Sequence, residues 1–315
     1  AEGVVARPRA PQKARLPAIA QGQTGEQAAR EALRSCLDQV TANVIAVRHG
    51  DDMLGPHQLR VGLRRLRSAF SVFGYVLDSP QRTALGEEAK WLGAEVSALR
   101  DFDVAAHELI ADAIKTWPGE AGFPVLREIL IERGDQTREE LRGALNSTRC
   151  QSLMINLAKF TEARGWLNPD DFEQTTRLAS SAHKVARKAL NKAWKGAERR
   201  AEGLEGLTIE QRHDLRKQLK KLRYAVSFVA PLYPEPQVSP FLKSLKKLQT
   251  LFGALNDLAM AEAMFTGPEA ILPDDAAVQR AVGLLIGSRA AEAEQRWTEA
   301  RTLWTALSDQ GPFWR

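Results

Sequence analysis

The sequence predicts an all-helical protein made of two copies of one helical unit. Apolar residues recur at intervals of three and four, no stretch alternates apolar and polar residues as a half-buried strand does, and one basic motif occurs twice. Helical periodicity begins near Gln27 and continues through Leu33 and Leu37. About nine helices are expected, each ending where proline and glycine interrupt the pattern, as at Gly55-Pro56.

The composition is that of a folded chain without a membrane span. Of its 315 residues 44% are hydrophobic, which is enough to form a core and excludes wholesale disorder. No apolar run reaches the roughly 18 residues that a membrane span needs, and no apolar segment follows a basic start as in a secretory signal. We therefore expect a cytoplasmic protein, in which Cys36 and Cys150 are small buried thiols.

Residues 1–24 differ from the rest of the chain. They contain Pro8, Pro11 and Pro17, several cations and almost no apolar periodicity. This composition predicts a flexible basic linker rather than a packed element. The first residue is Ala1 rather than Met, which is compatible with a fragment of a longer protein.

One motif is repeated at a separation of 156 residues. The segment His57–Arg67 reads HQLRVGLRRLR, and the segment His213–Arg223 reads HDLRKQLKKLR. The same ungapped shift carries Asp101 onto Asp257. A register held over such a distance is hard to obtain by chance, so the sequence predicts two copies of one unit.

The two copies are expected to form one domain over residues 25–315. The first repeat is assigned to 25–165 and the second to 172–315, with the joint near Gly165 to Asp171. Two copies of one helical bundle pack most simply about a pseudo-two-fold axis. A groove between them would then be lined by the same residues twice.

The motif helix has an apolar wall and a basic stripe beside it when its residues are placed about 100° apart. The wall comprises Leu59, Leu63, Leu66, Phe70 and Phe73 in the first copy, and Leu215, Leu219, Leu222, Val226 and Val229 in the second. The α2 stripe, as we name it, comprises His57, Arg60, Arg64 and Arg67; the α9 stripe comprises His213, Arg216, Lys220 and Arg223. Arg65 and Lys221 project elsewhere.

The stripes point to an anionic ligand. Neither stripe has carboxylates at i+3 or i+4 to neutralise it, whereas an ordinary solvated helix face mixes signs. Stacked cations repel one another in the free protein, and an anion would offset that cost. A stripe covers roughly 15 Å at 1.5 Å per residue, which suits an extended polyanion better than one phosphate ester.

A second helix in each copy adds to the predicted site. Lys90 in the first copy and its counterpart Lys246 share a side with small residues, opposite an apolar side. Asp101 and Asp257 are the acids that both copies carry at this place. We expect these two carboxylates to hold motif arginines by bidentate pairing rather than to touch the ligand.

These motifs resemble the conserved histidine α-helical domain family, CHAD. The resemblance rests on both basic motifs and on Leu99–Val104 (LRDFDV), and it covers about residues 25–315. It implies an all-α fold of two tandem four-helix bundles related by a pseudo-two-fold axis, with a basic central channel that binds inorganic polyphosphate. CHAD domains often follow a CYTH-type triphosphate-hydrolysing domain, and residues 1–24 resemble the linker between the two.

Carried over position by position, the resemblance implies a set of polyphosphate contacts. They are His57, Arg60, Arg64, Arg67, Lys90, His213, Arg216, Lys220, Arg223, Tyr224 and Lys246. The second copy departs from the first where Asn256 replaces Arg100 and Ala259 replaces Asp103, so Arg100 and Asp103 are not assigned as symmetric contacts. We expect no catalytic residue, metal or cofactor, and an association with polyphosphate granules.

Two other functions stay open on the sequence. A metal-dependent phosphoanhydride hydrolase would use Asp101, Asp103 or Asp257, or the His213-Asp214 pair that HD phosphohydrolases share. The HD interpretation is disfavoured because the first copy lacks the aspartate. An RNA-binding helical module is disfavoured because the stripes carry no interleaved aromatic residues. A further basic run over 184–200 is interpreted as a solvated helix face that extends the positive field.

Overall fold

A computed structural model of the protein describes residues 10–267, 270 and 273–314. Those residues form α-helices and no β-strand, which confirms the all-helical prediction. The helices are α1 (Gly25–His49), α2 (Leu54–Val72), α3 (Pro80–Val104), α4 (Ile110–Thr116), α5 (Gly122–Asn146), α6 (Thr148–Glu162), α7 (Phe172–Ala179), α8 (Ala182–Arg200), α9 (Ile209–Val229), α10 (Glu235–Leu251), α11 (Gly253–Phe265) and α12 (Ala276–Gln310). A π-helical turn (Ala105–Leu109) joins α3 to α4.

More helices occur in the described residues than the nine expected, because some ends carry no proline. One such end lies between α5 and α6, where the Ser147 hydroxyl accepts a hydrogen bond from the Cys150 amide and begins α6. Another lies at Phe252, where α10 stops and α11 begins at the next residue. Local side-chain capping and a single non-helical residue leave no compositional signal of the kind that proline gives.

The first two helices of each half of the chain correspond to one another. A shift of 156 residues places α1 on α8 and α2 on α9. In the first pair, Gly62 of α2 lies against Val40 of α1, since a Cβ at Gly62 would stand 3.0 Å from Val40 Cγ2. In the second pair, Gly196 of α8 lies against Gln218 of α9. The same two positions therefore meet in both pairs. The pseudo-two-fold arrangement of the whole repeats stays a prediction.

The described residues divide into two compact units, and the repeats at 25–165 and 172–315 stay a prediction. The first unit holds residues 10–100 and 136–189, and the second holds 101–135 and 190–314. In the first unit, Phe160 packs edge-on against Phe70 and Trp166, with ring centroids 6.0 and 5.3 Å apart. In the second unit, Trp194 lies 5.5 Å from Trp304.

The described part of the N-terminal segment, residues 10–24, packs against α1 and α2. The Gln12 amide donates to Asn43 Oδ1 at 3.1 Å, and Asn43 Nδ2 donates back to the Gln12 carbonyl at 2.9 Å. The Arg15 carbonyl accepts hydrogen bonds from Ser35 and Arg65. This differs from the flexible linker expected over 1–24, because side chains of α1 and α2 satisfy the backbone of this non-helical stretch. Residues 1–9 lie outside the described part.

Neither a membrane span nor a reactive thiol is found among the described residues. No helix there is long and apolar enough to cross a bilayer. Cys36 and Cys150 are buried and unbridged, as predicted. Burial raises the pKa of the Cys36 thiol to about 12, and the nearby charge of Arg65 opposes that rise.

Candidate functional site

The helix α2 carries the first predicted stripe beside its buried wall. The wall is confirmed: Leu59, Leu63 and Leu66 are at most 1% exposed. The helix contains four arginines and no aspartate or glutamate. Of the stripe, Arg67 is exposed and Arg64 is half-buried, as are His57 and Arg60. The α2 stripe therefore lies along a partly accessible edge of a helix whose apolar wall is fixed in the core.

The arginine that the helical angles place off the stripe has a structural role. Arg65 is 6% exposed and donates to Gln39 Oε1 at 2.6 Å, to the Arg15 carbonyl at 2.7 Å and to Ser35 Oγ at 3.1 Å. These bonds tie α2 to α1 and to the N-terminal segment. The interpretation of Arg65 as a residue outside the stripe is consistent with this burial.

The helix α9 carries the second stripe in the same relation to its wall. Leu215, Leu219 and Leu222 are fully buried, and the stripe residues are half-buried. Six lysines and arginines on α9 stand against two acids, Glu210 and Asp214. The net charge from these side chains is +4, the same as that of the four arginines on α2.

Tyr224 supports an arginine of the α9 stripe. The Arg223 guanidinium lies 4.8 Å from the centroid of the Tyr224 ring, and the ring is 7% exposed. The Nε atom of Arg223 is also buried and has no hydrogen-bond partner. Stacking on the ring therefore fixes the plane of the guanidinium. Tyr224 was predicted as a ligand contact, and its burial leaves it little surface for one.

His213 is held neutral over most of the physiological pH range. Burial lowers the pKa of His213 below its usual value of 6.5, and the charges of Arg216 and Lys217 lower it further. The carboxylates of Asp214 and Glu262 act in the opposite direction. The imidazole is therefore a hydrogen-bonding group at neutral pH, and it gains a charge only in more acidic solution.

The two lysines predicted to support the stripes are both exposed. Lys90 on α3 pairs with Glu87 one turn earlier, with Nζ and Oε2 3.2 Å apart. Its counterpart Lys246 lies on α10, where Lys243 stands in place of that glutamate. The α10 face is therefore the more positive of the two.

The acids of the predicted site are partly withdrawn from solvent. Asp103 is 5% exposed. Burial raises the pKa of Asp257, whereas the charges of Arg289 and Arg216 oppose the rise. Asp257 thus lies within electrostatic reach of the motif arginine Arg216, and the bidentate pairing expected of Asp101 and Asp257 stays a prediction.

A metal site has no support in the part of the chain that the structure describes. No group of three or more His, Cys, Asp or Glu side chains there is arranged to hold a metal ion. In the HD pair, the Asp214 carboxylate accepts a hydrogen bond from Lys217 at 3.1 Å. The carboxylate is therefore engaged by a cation of its own helix.

The concave cleft of the first unit is separate from the predicted contacts. It has a volume of about 520 Å³ and lies where α1 and α7 begin, beside Leu167, Pro169 and Phe172. Arg164 at its edge has a positive φ of 56° and pairs with Glu26 at 2.6 Å. None of the eleven predicted contacts lines this cleft, so the candidate sites are the two stripes.

Each stripe is one edge of one helix, and the eleven predicted residues divide between the units. The α2 stripe and Lys90 belong to the first unit; the α9 stripe, Tyr224 and Lys246 belong to the second. The central groove that the sequence analysis expected between the repeats stays a prediction. Sequence reasoning placed Lys221 off the α9 stripe and did not single out Lys217; both side chains are exposed.

Comparison with known proteins gives one family and one fold. A model of the CHAD domain matches residues 31–266. The crystal structure of the CHAD domain from the plant Ricinus communis is 28% identical with a TM-score of 0.79, and the match covers 95% of this chain and 97% of that one. PptA from Streptomyces chartreusis is 15% identical with a TM-score of 0.59, covering 90% and 99%, which is a likeness of fold alone. No curated protein matches the chain.

Proposed function

This chain belongs to the CHAD domain family, and we propose that it binds inorganic polyphosphate through the α2 stripe and the α9 stripe without catalysing a reaction on it. The proposal is supported by one observation: the same two features, a buried apolar wall and a basic row, occur together on both helices. Each helix has a net side-chain charge of +4, a buried apolar wall and, along another edge, a row of three arginine or lysine side chains and one histidine. Such rows are costly in a free protein and favourable beside a polyanion.

The side chains suit phosphoryl oxygens. Arginine presents parallel N–H donors that bind two oxygens at once, and lysine adds charge without strict geometry. Tyr224 pre-orients the Arg223 guanidinium, which lowers the entropy lost when it grips a ligand. His213 donates one hydrogen bond when neutral and carries a charge when the bound polyanion favours its protonation.

Polyphosphate fits better than the other polyanion considered. Proteins bind single-stranded nucleic acids through exposed aromatic rings, on which the bases stack, as well as through cations. The aromatic residue beside the α9 stripe, Tyr224, is buried. Polyphosphate has no base to stack and consists of phosphoryl groups throughout. The same binding would retain the protein at polyphosphate granules and would position a CYTH-type domain carried on a longer chain.

Calorimetric titration with tripolyphosphate and with long-chain polyphosphate tests the proposal. Both ligands are expected to bind, and affinity for the long chain is expected to fall steeply with salt. Release of six to eight counterions would give a log–log slope of about −4 to −6, by analogy with nucleic acids. Salt-independent binding, or phosphate release from tripolyphosphate on addition of Mg²⁺ or Mn²⁺, would contradict a non-catalytic electrostatic site.

A further inference from the structure

A face of α8 and α9 that adjoins the α9 stripe is strongly basic and exposed. We name this the α8–α9 face. It comprises the exposed side chains of Lys192, Lys195, Arg199, Lys217 and Lys221. Asp214 pairs with Lys217 at 3.1 Å, and Glu198 is engaged by the Trp194 indole. The face therefore keeps a large positive excess.

The five cations share one side of the helix pair. The helices run antiparallel: Gln218 Nε2 donates to the Ala193 carbonyl at 2.8 Å, and further along α8 Arg200 lies near Asp214, an earlier residue of α9. The carboxyl pKa of Asp214 is lowered, first by the hydrogen bond from Lys217 and also by the Arg200 charge. In two antiparallel helices, residues that are rotated about their helix axes in the same direction from the interhelical contact lie on the same side of the helix pair.

Helical angles then define the face. On α8, Lys192, Lys195 and Arg199 lie about 40° to 100° to one side of Gly196. On α9, Lys217 and Lys221 lie about 60° to 100° to the same side of Gln218. The α9 stripe lies roughly 140° to 220° from Gln218, further around the same helix. A flexible polyanion could therefore pass from one basic surface to the other around α9, over about half the circumference of a helix.

The equivalent face of α1 and α2 is covered. A shift of 156 residues converts Lys195 into Gln39, Arg199 into Asn43 and Lys221 into Arg65. Gln39, Asn43 and Arg65 are at most 6% exposed, because the extended N-terminal segment lies over them. Its backbone carbonyls accept hydrogen bonds from Asn43 and Arg65 at 2.9 and 2.7 Å.

The second half has the same framework with a different surface chemistry. Among the described residues, the non-helical C-terminal segment contacts α8 through Trp314, which lies against Asn191 and Trp194. The five cations of the α8–α9 face are exposed. On the equivalent face of α1 and α2, neutral side chains and one arginine lie under the N-terminal segment. On the α8–α9 face, these positions are lysines and an arginine. A ligand that complements these cations is anionic.

We propose that the α8–α9 face is a second docking surface for polyphosphate, used by long chains that already occupy the α9 stripe. This inference rests on the proposed function. Lysines predominate on the face, so it supplies charge rather than fixed bidentate geometry, as a mobile chain requires. A tripolyphosphate has only three phosphoryl groups, so one held on the stripe leaves most of the face unoccupied, whereas a long chain can extend across it.

A variant with three charge reversals tests the proposal. It combines Lys192→Glu, Lys195→Glu and Lys221→Glu in one chain, and we name it the face triple. The matched control is Lys13→Glu, Lys115→Glu and Lys159→Glu, at exposed lysines outside both basic surfaces. Both triples change the net charge equally. The face triple is expected to bind tripolyphosphate within about twofold of wild type and long-chain polyphosphate at least tenfold more weakly, with a salt slope reduced by about 2 to 3.

The outcomes separate this proposal from the proposed function. If wild type binds neither ligand, the proposed function fails. If wild type binds both and the face triple binds long-chain polyphosphate as tightly as the control triple does, the α8–α9 face is not a docking surface. If the face triple loses binding to a single-stranded RNA but keeps its affinity for long-chain polyphosphate, the face belongs to nucleic acid and the proposal is overturned.

Discussion

Gly196 of α8 lies directly against the side-chain amide of Gln218 of α9. A Cβ atom at position 196 would stand 2.6 Å from Gln218 Nε2 and 3.1 Å from Cδ. The amide cannot move aside freely, because Gln218 is buried and its Nε2 donates to the Ala193 carbonyl. The absence of a side chain at this glycine therefore sets how closely α9, the helix of the second stripe, approaches α8.

Substitution of Gly196 by alanine is expected to destabilise the protein. Alanine favours a helix by about 1 kcal/mol over glycine, but the overpacked contact and the displaced Gln218 amide cost more. We expect a net loss of about 1 kcal/mol in the free energy of unfolding, measured in urea. Gly287→Ala on α12 is the control, since a Cβ there would meet nothing within 4 Å. Equal stability of the two variants would contradict the close contact.

Polyphosphate is expected to raise the pKa of His213. In the free protein, burial and the charges of Arg216 and Lys217 hold that pKa below 6.5. Because the unfolded histidine binds its proton more readily, this group destabilises the free protein as pH falls below 6.5. A bound polyanion reverses the local potential, so affinity should increase in the same pH window.

The imidazole can be followed directly by NMR. Titration of His213 with and without saturating tripolyphosphate should show a higher pKa in the complex, with His213→Gln identifying the resonance. An unchanged pKa in a saturated complex would show that the ligand does not approach this end of the α9 stripe.

Glu162 joins α6 to α1 through an interaction that depends on pH. It accepts hydrogen bonds from Arg34 at 2.6 and 2.8 Å and from Arg30 at 2.9 Å. These bonds, led by that of Arg34, lower the carboxyl pKa to about 2. The folded pKa lies below the unfolded value of 4.5, so the stabilisation is complete above that value and is lost as pH falls towards 2.

The variant Glu162→Gln should therefore lose stability in a pH-dependent way. At neutral pH we expect a loss of up to about 1 kcal/mol, because the partners are partly exposed. The difference in urea midpoint between wild type and variant should shrink between about pH 5 and about pH 3. A difference that stays constant over this range would mean that the carboxylate is not held by the two arginines.

Helical periodicity predicted the parts of the fold that depend on one helix at a time. It placed Leu63 and Leu219 in the core and set Arg65 apart from the stripe, and the structure buries all three. Each of these assignments follows from angles around a single axis. The match in contact between α1–α2 and α8–α9 is consistent with the repeat, since the same two positions meet although Val40 and Gly62 correspond to Gly196 and Gln218.

What the sequence could not predict depends on contacts between distant segments. The stretch 10–24 has no period, so nothing in it indicated that α1 and α2 would bind its backbone through Asn43 and Arg65. The α8–α9 face could not be distinguished from an ordinary solvated surface until the covered face of the first half was available for comparison. The ligand contact expected of Tyr224 stays a prediction, and the burial of its ring beside the Arg223 guanidinium became apparent only in the structure.

The central claim is that the cations of the two stripes bind polyphosphate. Its most direct test is the affinity for tripolyphosphate of one double variant in each stripe, Arg64→Gln with Arg67→Gln and Lys220→Gln with Arg223→Gln. The control removes two exposed lysines elsewhere, Lys115→Gln with Lys159→Gln, and glutamine preserves helix propensity in all three.

We expect each double substitution to weaken the affinity of its own stripe at least tenfold, since two charge-assisted contacts of about 1.5 kcal/mol or more are lost. The control should bind within about twofold of wild type, and the two stripe variants combined should show no measurable binding. If the combined variant, folded as judged by its thermal unfolding, binds tripolyphosphate as tightly as the control does, the stripes are not the binding site.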